Sequence, residues 1–124
     1  MSNPGMIKTA IAETALAKFR ITAPGATDGS VKQAGAATDA LNGVTEGFAY
    51  AIGDRPSIVR SGLADVEYGG NVTRGQPLTA DASGRAVAAA PAGGSNVRLI
   101  GFAEVSGVLG DIGSVFIAPS VMQG

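Results

Sequence analysis

Turn residues recur so often along this chain that most of it is left in segments short enough only for strands. Ser57 to Tyr68 mixes β-branched and polar residues and stops at Gly69-Gly70. Asn71-Val72-Thr73-Arg74-Gly75 reads as a short element and a turn. Pro77-Leu78-Thr79-Ala80 then leads into Asp81-Ala82-Ser83-Gly84, whose leading Asp and closing Gly suit a type I turn. Arg85 to Ala89 returns as the partner strand. Val97 to Val105 and Ile112 to Ala118 are strands separated by the Gly-rich turn Gly107 to Gly110. Upstream, Val44 to Ile52 lies between Gly53-Asp54 and Asn42-Gly43, a dipeptide that accepts positive φ at both turn positions. This pattern predicts an all-β domain, a small barrel or sandwich of short antiparallel strands.

The N-terminal segment reads two ways. Ile7, Ile11, Ala15, Ala17, Phe19 and Ile21 all fall on odd positions, as in a strand. Ala10 to Lys18 is also rich in helix formers, and Ile7, Ile11 and Ala15 sit at helical spacing. Extended structure is expected from Ala17 to Thr22, with Ile7 to Leu16 either extended or partly helical. Pro24 to Ser30 is a loop. At 124 residues the chain holds one domain, divided into an N-terminal arm or first element, 1–22, and a β-rich body, 23–124.

Composition bears on the core. Much of the 45% hydrophobic content is Ala, aromatic residues are 5%, and Gly reaches 19. Ala buries little area at about 25 cal/mol per Å², and each ordered Gly loses more backbone entropy than other residues. A thin core favours self-association or docking on a scaffold. The net charge of −1, with nine Lys and Arg scattered singly, lacks the basic stripe of a nucleic-acid binder. No apolar run reaches bilayer length, so no membrane partner is expected. The opening Met1-Ser2-Asn3-Pro4-Gly5 has neither the basic nor the apolar region of a signal peptide. Without such a signal, the sequon Asn71-Val72-Thr73 is read as chance. Cys is absent, so no disulfide staples the fold.

The inventory of reactive groups is short. With no His and no Cys, Ser-His-Asp triads, thiol catalysis and His or thiolate metal sites are excluded. Asp28, Asp39, Asp54, Asp81 and Asp111 sit beside Gly or in turn contexts, where Asp serves local backbone hydrogen bonding. Asp65 and Glu67 alternate on one strand face, as on a solvated face. Phosphate-binding Gly motifs and EF-hand loops are missing. The expectation is no enzyme, no catalytic or metal-binding residues and no cofactor. Gly69 to Leu78 also looks like the Gly-bracketed turn of biotinyl and lipoyl carrier domains. None of Lys8, Lys18 and Lys32 stands in a carrier context, so that pattern means only a strand between turns.

Gly75-Gln76-Pro77-Leu78-Thr79-Ala80-Asp81-Ala82-Ser83-Gly84-Arg85-Ala86-Val87, then Ile100-Gly101-Phe102-Ala103-Glu104, then Asp111-Ile112-Gly113-Ser114-Val115-Phe116-Ile117, resembles the capsid cement (head decoration) proteins of tailed phages. In that family a "G-x-P-L-T-x-D-x-x-G-x-x-V" hairpin precedes an "I-G-x-A" strand and a final "G-x-x-V-x-V" strand. The order and spacing of the three motifs carry the resemblance, which covers about Gly69 to Pro119.

The resemblance implies a compact β-rich virion protein, often trimeric, made in the bacterial host cytoplasm. It would sit on the capsid exterior and clamp neighbouring major capsid subunits. Its partners would then be the major capsid protein and itself, with no catalytic group or cofactor to carry over. The N-terminal stretch from Ser2 to Leu16 is expected to be a docking arm with Ile7, Ile11 and Leu16 as apolar anchors. The competing expectation makes it the first strand or helix of the domain. A carbohydrate-binding or adhesin-type β module is the alternative function, though its aromatic supply is thin.

Overall fold

The computed structural model describes residues 3–91 and 93–123. Among the described residues the protein is built from strands alone, in two mixed or antiparallel sheets. One sheet orders β1 (Asn3–Pro4), β8 (Gly62–Glu67), β12 (Ile112–Gln123), β11 (Asn96–Ala103), β9 (Pro77–Ala80) and β10 (Ala86–Ala88). The other orders β2 (Ile7–Thr9), β7 (Ser57–Val59), β6 (Gly43–Val44), β4 (Ile21–Pro24), β5 (Ser30–Gln33) and β3 (Ile11–Ala12). Only β3 with β5 pairs in parallel among these strands. Among the described residues no helix is long and apolar enough to cross a membrane.

Both sheets curl. Strands β2 and β3 are separated by Ala10 alone, yet they occupy opposite edges of their sheet, so the sheet wraps until its edges meet. On one side the Ala10 N–H donates to Pro56 O at 3.0 Å and the Ala12 N–H to Asp54 O at 2.9 Å. On the other, Ile11 N–H donates to Gly29 O at 2.9 Å and Glu13 N–H to Val31 O at 2.8 Å. A small barrel results, and closure removes free strand edges. The first sheet turns back similarly, with Tyr68 bridging to Ala86 and the Gly69 N–H donating to Ala86 O at 2.8 Å.

One ribbon passes between the sheets. Residues 3–9 run antiparallel to 57–63, with Pro4 opposite Gly62 in the first sheet and Ile7 opposite Val59 in the second. The crossing falls at Gly62, whose φ of 85° lies in the left-handed region that suits glycine. The sequence reads Ser57 to Tyr68 as one stretch, and the structure divides it there into β7 and β8.

The larger core joins the sheets: Ala64 and Val66 from β8, Val115 and Ile117 from β12, and Leu78 from β9 meet the cross-strand row Ile21–Val44–Val59. Ile7 extends that row on β2. The smaller core, Ala12, Leu16, Val31 and Ile58, fills the closed barrel, with Ala10 and Tyr50 packed against it.

One open local expectation is decided and two are corrected. Between Ile7 and Leu16 the described backbone is extended, not helical, because its N–H and C=O groups find partners on both sheet edges. Ala17 to Arg20 turns instead of extending, with Phe19 at φ 58°, and the strand begins at Ile21. The Phe19 carbonyl there accepts the Glu67 N–H at 3.0 Å. Asn42-Gly43 is not a hairpin turn. Gly43 lies inside β6, where an added Cβ would stand 2.5 Å from Ile58 Cγ2 and 2.6 Å from Val59 O. The expected strand Val44 to Ile52 is therefore reduced to Gly43–Val44 and an isolated pairing of Tyr50 with Leu16.

Candidate docking surfaces

The hydrogen bonding of the N-terminal segment determines where Ile7, Ile11 and Leu16 lie. Gly5 N–H donates to Ser61 O at 2.8 Å, Met6 N–H to Ser61 Oγ at 2.8 Å, and Arg60 N–H to Met6 O at 2.7 Å. Leu16 and Tyr50 exchange backbone bonds of 2.9 and 2.8 Å. Ile7 is 52% and Ile11 41% exposed, whereas Leu16 is 2% exposed inside the barrel core. Leu16 therefore offers no side-chain surface to a partner, and Ile7 and Ile11 do. Ser2, where the expected arm starts, lies outside the described residues.

A second apolar surface went unseen in the sequence. Pairing aligns Leu63 with Phe116, Phe116 with Phe102, and Phe102 with Pro77 across β8, β12, β11 and β9. Directly paired residues share a face, and this is the face away from the core, since Val115 and Ala103 beside the phenylalanines are buried. Phe102 and Phe116 remain 39% and 46% exposed. The available signal was the alternation of Phe116 with Val115 and Ile117, but only the register brings the two rings together.

The β11–β12 loop presents Val105, Val108 and Leu109, all exposed, on a well-tied backbone. The Tyr68 hydroxyl donates to Val105 O at 2.7 Å, and Gly107 and Val72 exchange two backbone bonds. Ser106 Oγ accepts the Arg74 N–H at 2.9 Å, and Asp111 Oδ2 accepts the Val108 N–H at 3.0 Å. A loop held this way presents its apolar side chains with little ordering entropy left to lose on binding.

The ionisable groups are mainly structural. Asp39 accepts the Gly35 N–H, Asp54 the Ala51 N–H, and Asp81 the N–H groups of Ser83 and Arg85, the turn role expected for them. Glu67, read as solvated, instead pairs with Arg20 at 2.9 Å and Arg85 at 3.7 Å, and Arg85 also meets Asp81 at 3.3 Å. This chain of charges ties β8 to the turn after β9 and to the backbone before β4. Glu46 Oε2 accepts the Asp65 N–H at 3.2 Å. Among the described residues no grouping of His, Cys, Asp and Glu could hold a metal ion.

The chain matches no protein-family model, and no curated protein matches it in sequence. Its fold is similar to that in the crystal structure of the head fiber gp8.5 N base of bacteriophage phi29. The TM-score is 0.66 at 19% identity, and the match covers 91% of this chain and 93% of that one. The shared fold thus spans nearly the whole of both chains.

Proposed function

We propose that this chain is a non-enzymatic structural protein of a phage virion that docks as a folded β domain on the exterior of the assembled head. The observation that carries the reading is the fold shared, over nearly the whole of both chains, with a head fiber base. The cement-protein motifs from Gly75 to Ile117 point to the same class from the sequence. In the structure they form β9, the turn to β10, and the paired β11 and β12. Exposed apolar groups on tied backbone, Phe102, Phe116, Val108 and Leu109, supply surface for contacts with the shell and with other copies.

The mechanism is mass action. A protein that binds the assembled shell, and not its separated subunits, stabilises the shell by its own binding free energy. On this reading each domain bridges neighbouring major capsid subunits, and three copies associate about a cyclic axis, which buries apolar surface shared by identical chains. The test is sedimentation of the purified protein with heads built from the major capsid protein of the same genome, followed by cryo-electron microscopy. Saturable binding at fixed lattice positions is expected, with heads that survive higher temperature when decorated. Binding to free capsid subunits as tight as to heads, or unchanged head stability, would overturn the bridging mechanism.

A further inference from the structure

We propose that the open end of the barrel formed by β2, β7, β6, β4, β5 and β3 is a carboxylate-binding pocket. Its occupant is an acidic side chain of the capsid surface, an assignment that rests on the docking reading above. A cavity of about 290 Å³ opens there, with Val31 and Ile58 at its base. Lys8 pairs directly with Ile58 across β2 and β7, so their side chains share the face that looks into the barrel. Arg60 lies two residues beyond Ile58 and keeps that phase, and both cations line the cavity.

Lys8 and Arg60 thus hold diagonal positions on adjacent strands, about 7–8 Å apart at the backbone. Among the described residues neither takes part in an ion pair, unlike Arg20 and Arg85. The third donor is Asn42. Its Oδ1 accepts the Thr22 hydroxyl at 2.8 Å, which leaves its NH₂ group to donate. The Thr27 hydroxyl donates to Ser30 Oγ at 3.2 Å, and the Ser30 hydroxyl donates to the Thr27 carbonyl at 2.7 Å. Asp28 is the one acid on the lining, and it is exposed at the rim.

A cationic pair with an amide donor calls for a group that only accepts hydrogen bonds. A carboxylate does so, and it can engage a guanidinium through both oxygens. The lining holds no aromatic ring on which a sugar would stack. The volume is at the small end for organic ligands, about 300–1,000 Å³. It suits a Glu side chain, with its methylenes on Ile58 and Val31 and its carboxylate between Lys8 and Arg60.

Two arms test the pocket and its occupant separately. In the first, the ¹⁵N-labelled protein is titrated with N-acetylglutamate α-amide, N-acetylglutamine α-amide and inorganic phosphate. The expected result is saturable shifts at Lys8, Arg60 and Asn42 with the glutamate probe, and their loss in the Lys8→Gln/Arg60→Gln protein. Equal response to the glutamine probe, no response, or tighter binding of phosphate would overturn the carboxylate assignment. In the second arm, the wild type and the double variant are bound to heads, and the variant is expected to bind at least tenfold more weakly. Equal binding would overturn the capsid occupant. A wild type that ignores heads while still taking the glutamate probe would overturn the docking reading and the occupant, and leave the pocket standing. If the double variant fails to fold, Asn42→Asp places a carboxylate in the mouth itself. That variant should melt higher and lose both the probe and the heads, and unchanged binding of either would overturn the proposal.

Discussion

The ring of Tyr68 occupies the space that a side chain at Gly113 would need. A Cβ there would stand 2.6 Å from Tyr68 Cε2, with Cζ and the hydroxyl oxygen closer still. Tyr68 is among the largest fully buried side chains, and its hydroxyl reaches out to hold the β11–β12 loop at Val105. The same ring also fills the space beside Gly107, so two glycines and one tyrosine fix the loop to the body.

Gly113→Ala is therefore expected to destabilise the domain by about 3 kcal/mol or more, at or beyond the upper end for overpacked cores. Urea unfolding with an unchanged m-value would measure it. A loss below about 1 kcal/mol would mean that the Tyr68 ring can shift freely.

Tyr68→Phe removes the bond to Val105 O, which should lower stability by about 1–2 kcal/mol. Burial, and secondarily the charge of Asp111, push the Tyr68 phenol above its ordinary 10.0. A raised folded-state value means that the unfolded chain loses this proton first. The contribution is thus intact below pH 10.0 and is lost as pH rises through the folded-state value. Stability–pH curves should fall above about pH 10 in the wild type, and this component of the fall should vanish in the Phe variant.

Thr79 is 4% exposed, and its hydroxyl has no hydrogen-bond partner among the described residues. Thr79→Val keeps the shape, removes an unsatisfied polar atom and suits a strand. A gain of about 1 kcal/mol is expected, read as a higher melting temperature. A loss would reveal a partner for the hydroxyl, such as a buried water.

Glu67 pairs with two arginines whose side chains are 18% and 29% exposed. Partial burial raises such a network above the 0–1 kcal/mol of surface pairs. Glu67→Gln should lose about 1–2 kcal/mol, because both guanidinium groups keep their desolvation without the charge that offsets it. Part of the loss should shrink in high salt. Identical stability of variant and wild type at low salt would contradict this account.

The paired phenylalanines bear on self-association. Phe102→Ser/Phe116→Ser should leave the fold intact, since both rings are partly exposed, and should weaken the oligomer at least tenfold in analytical ultracentrifugation. If the wild type is monomeric at high micromolar concentration, the trimer is wrong. If the variant associates as the wild type does, the interface lies elsewhere.

Local chemistry made part of this architecture readable. The turn at Asp81 to Gly84, with strands on either side, follows from an Asp that caps its own turn and a Gly that closes it. The same logic foretold the roles of Asp39, Asp54 and Asp111, because these bonds span only a few residues. Frequent turns with short apolar alternations then limited the chain to a small β fold. Where local signals misled, a distant partner had decided. Asn42-Gly43 has the composition of a hairpin turn, but the close approach of Ile58 and Val59 makes Gly43 a strand residue.

The N-terminal segment shows the division most clearly. Its alternation is compatible with strand or helix, and nothing local chooses between them. The choice falls to backbone groups of Ser61, Pro56, Asp54 and Gly29, which accept its N–H groups and draw Leu16 into the barrel. Register likewise sets Phe102 beside Phe116, and Lys8 diagonal to Arg60. The sequence by itself determined which short segments pair and where they turn, since those preferences reside in single residues and their near neighbours. The tertiary structure decided which side chains converge on one surface, because strand register is fixed by hydrogen bonds between residues tens of positions apart.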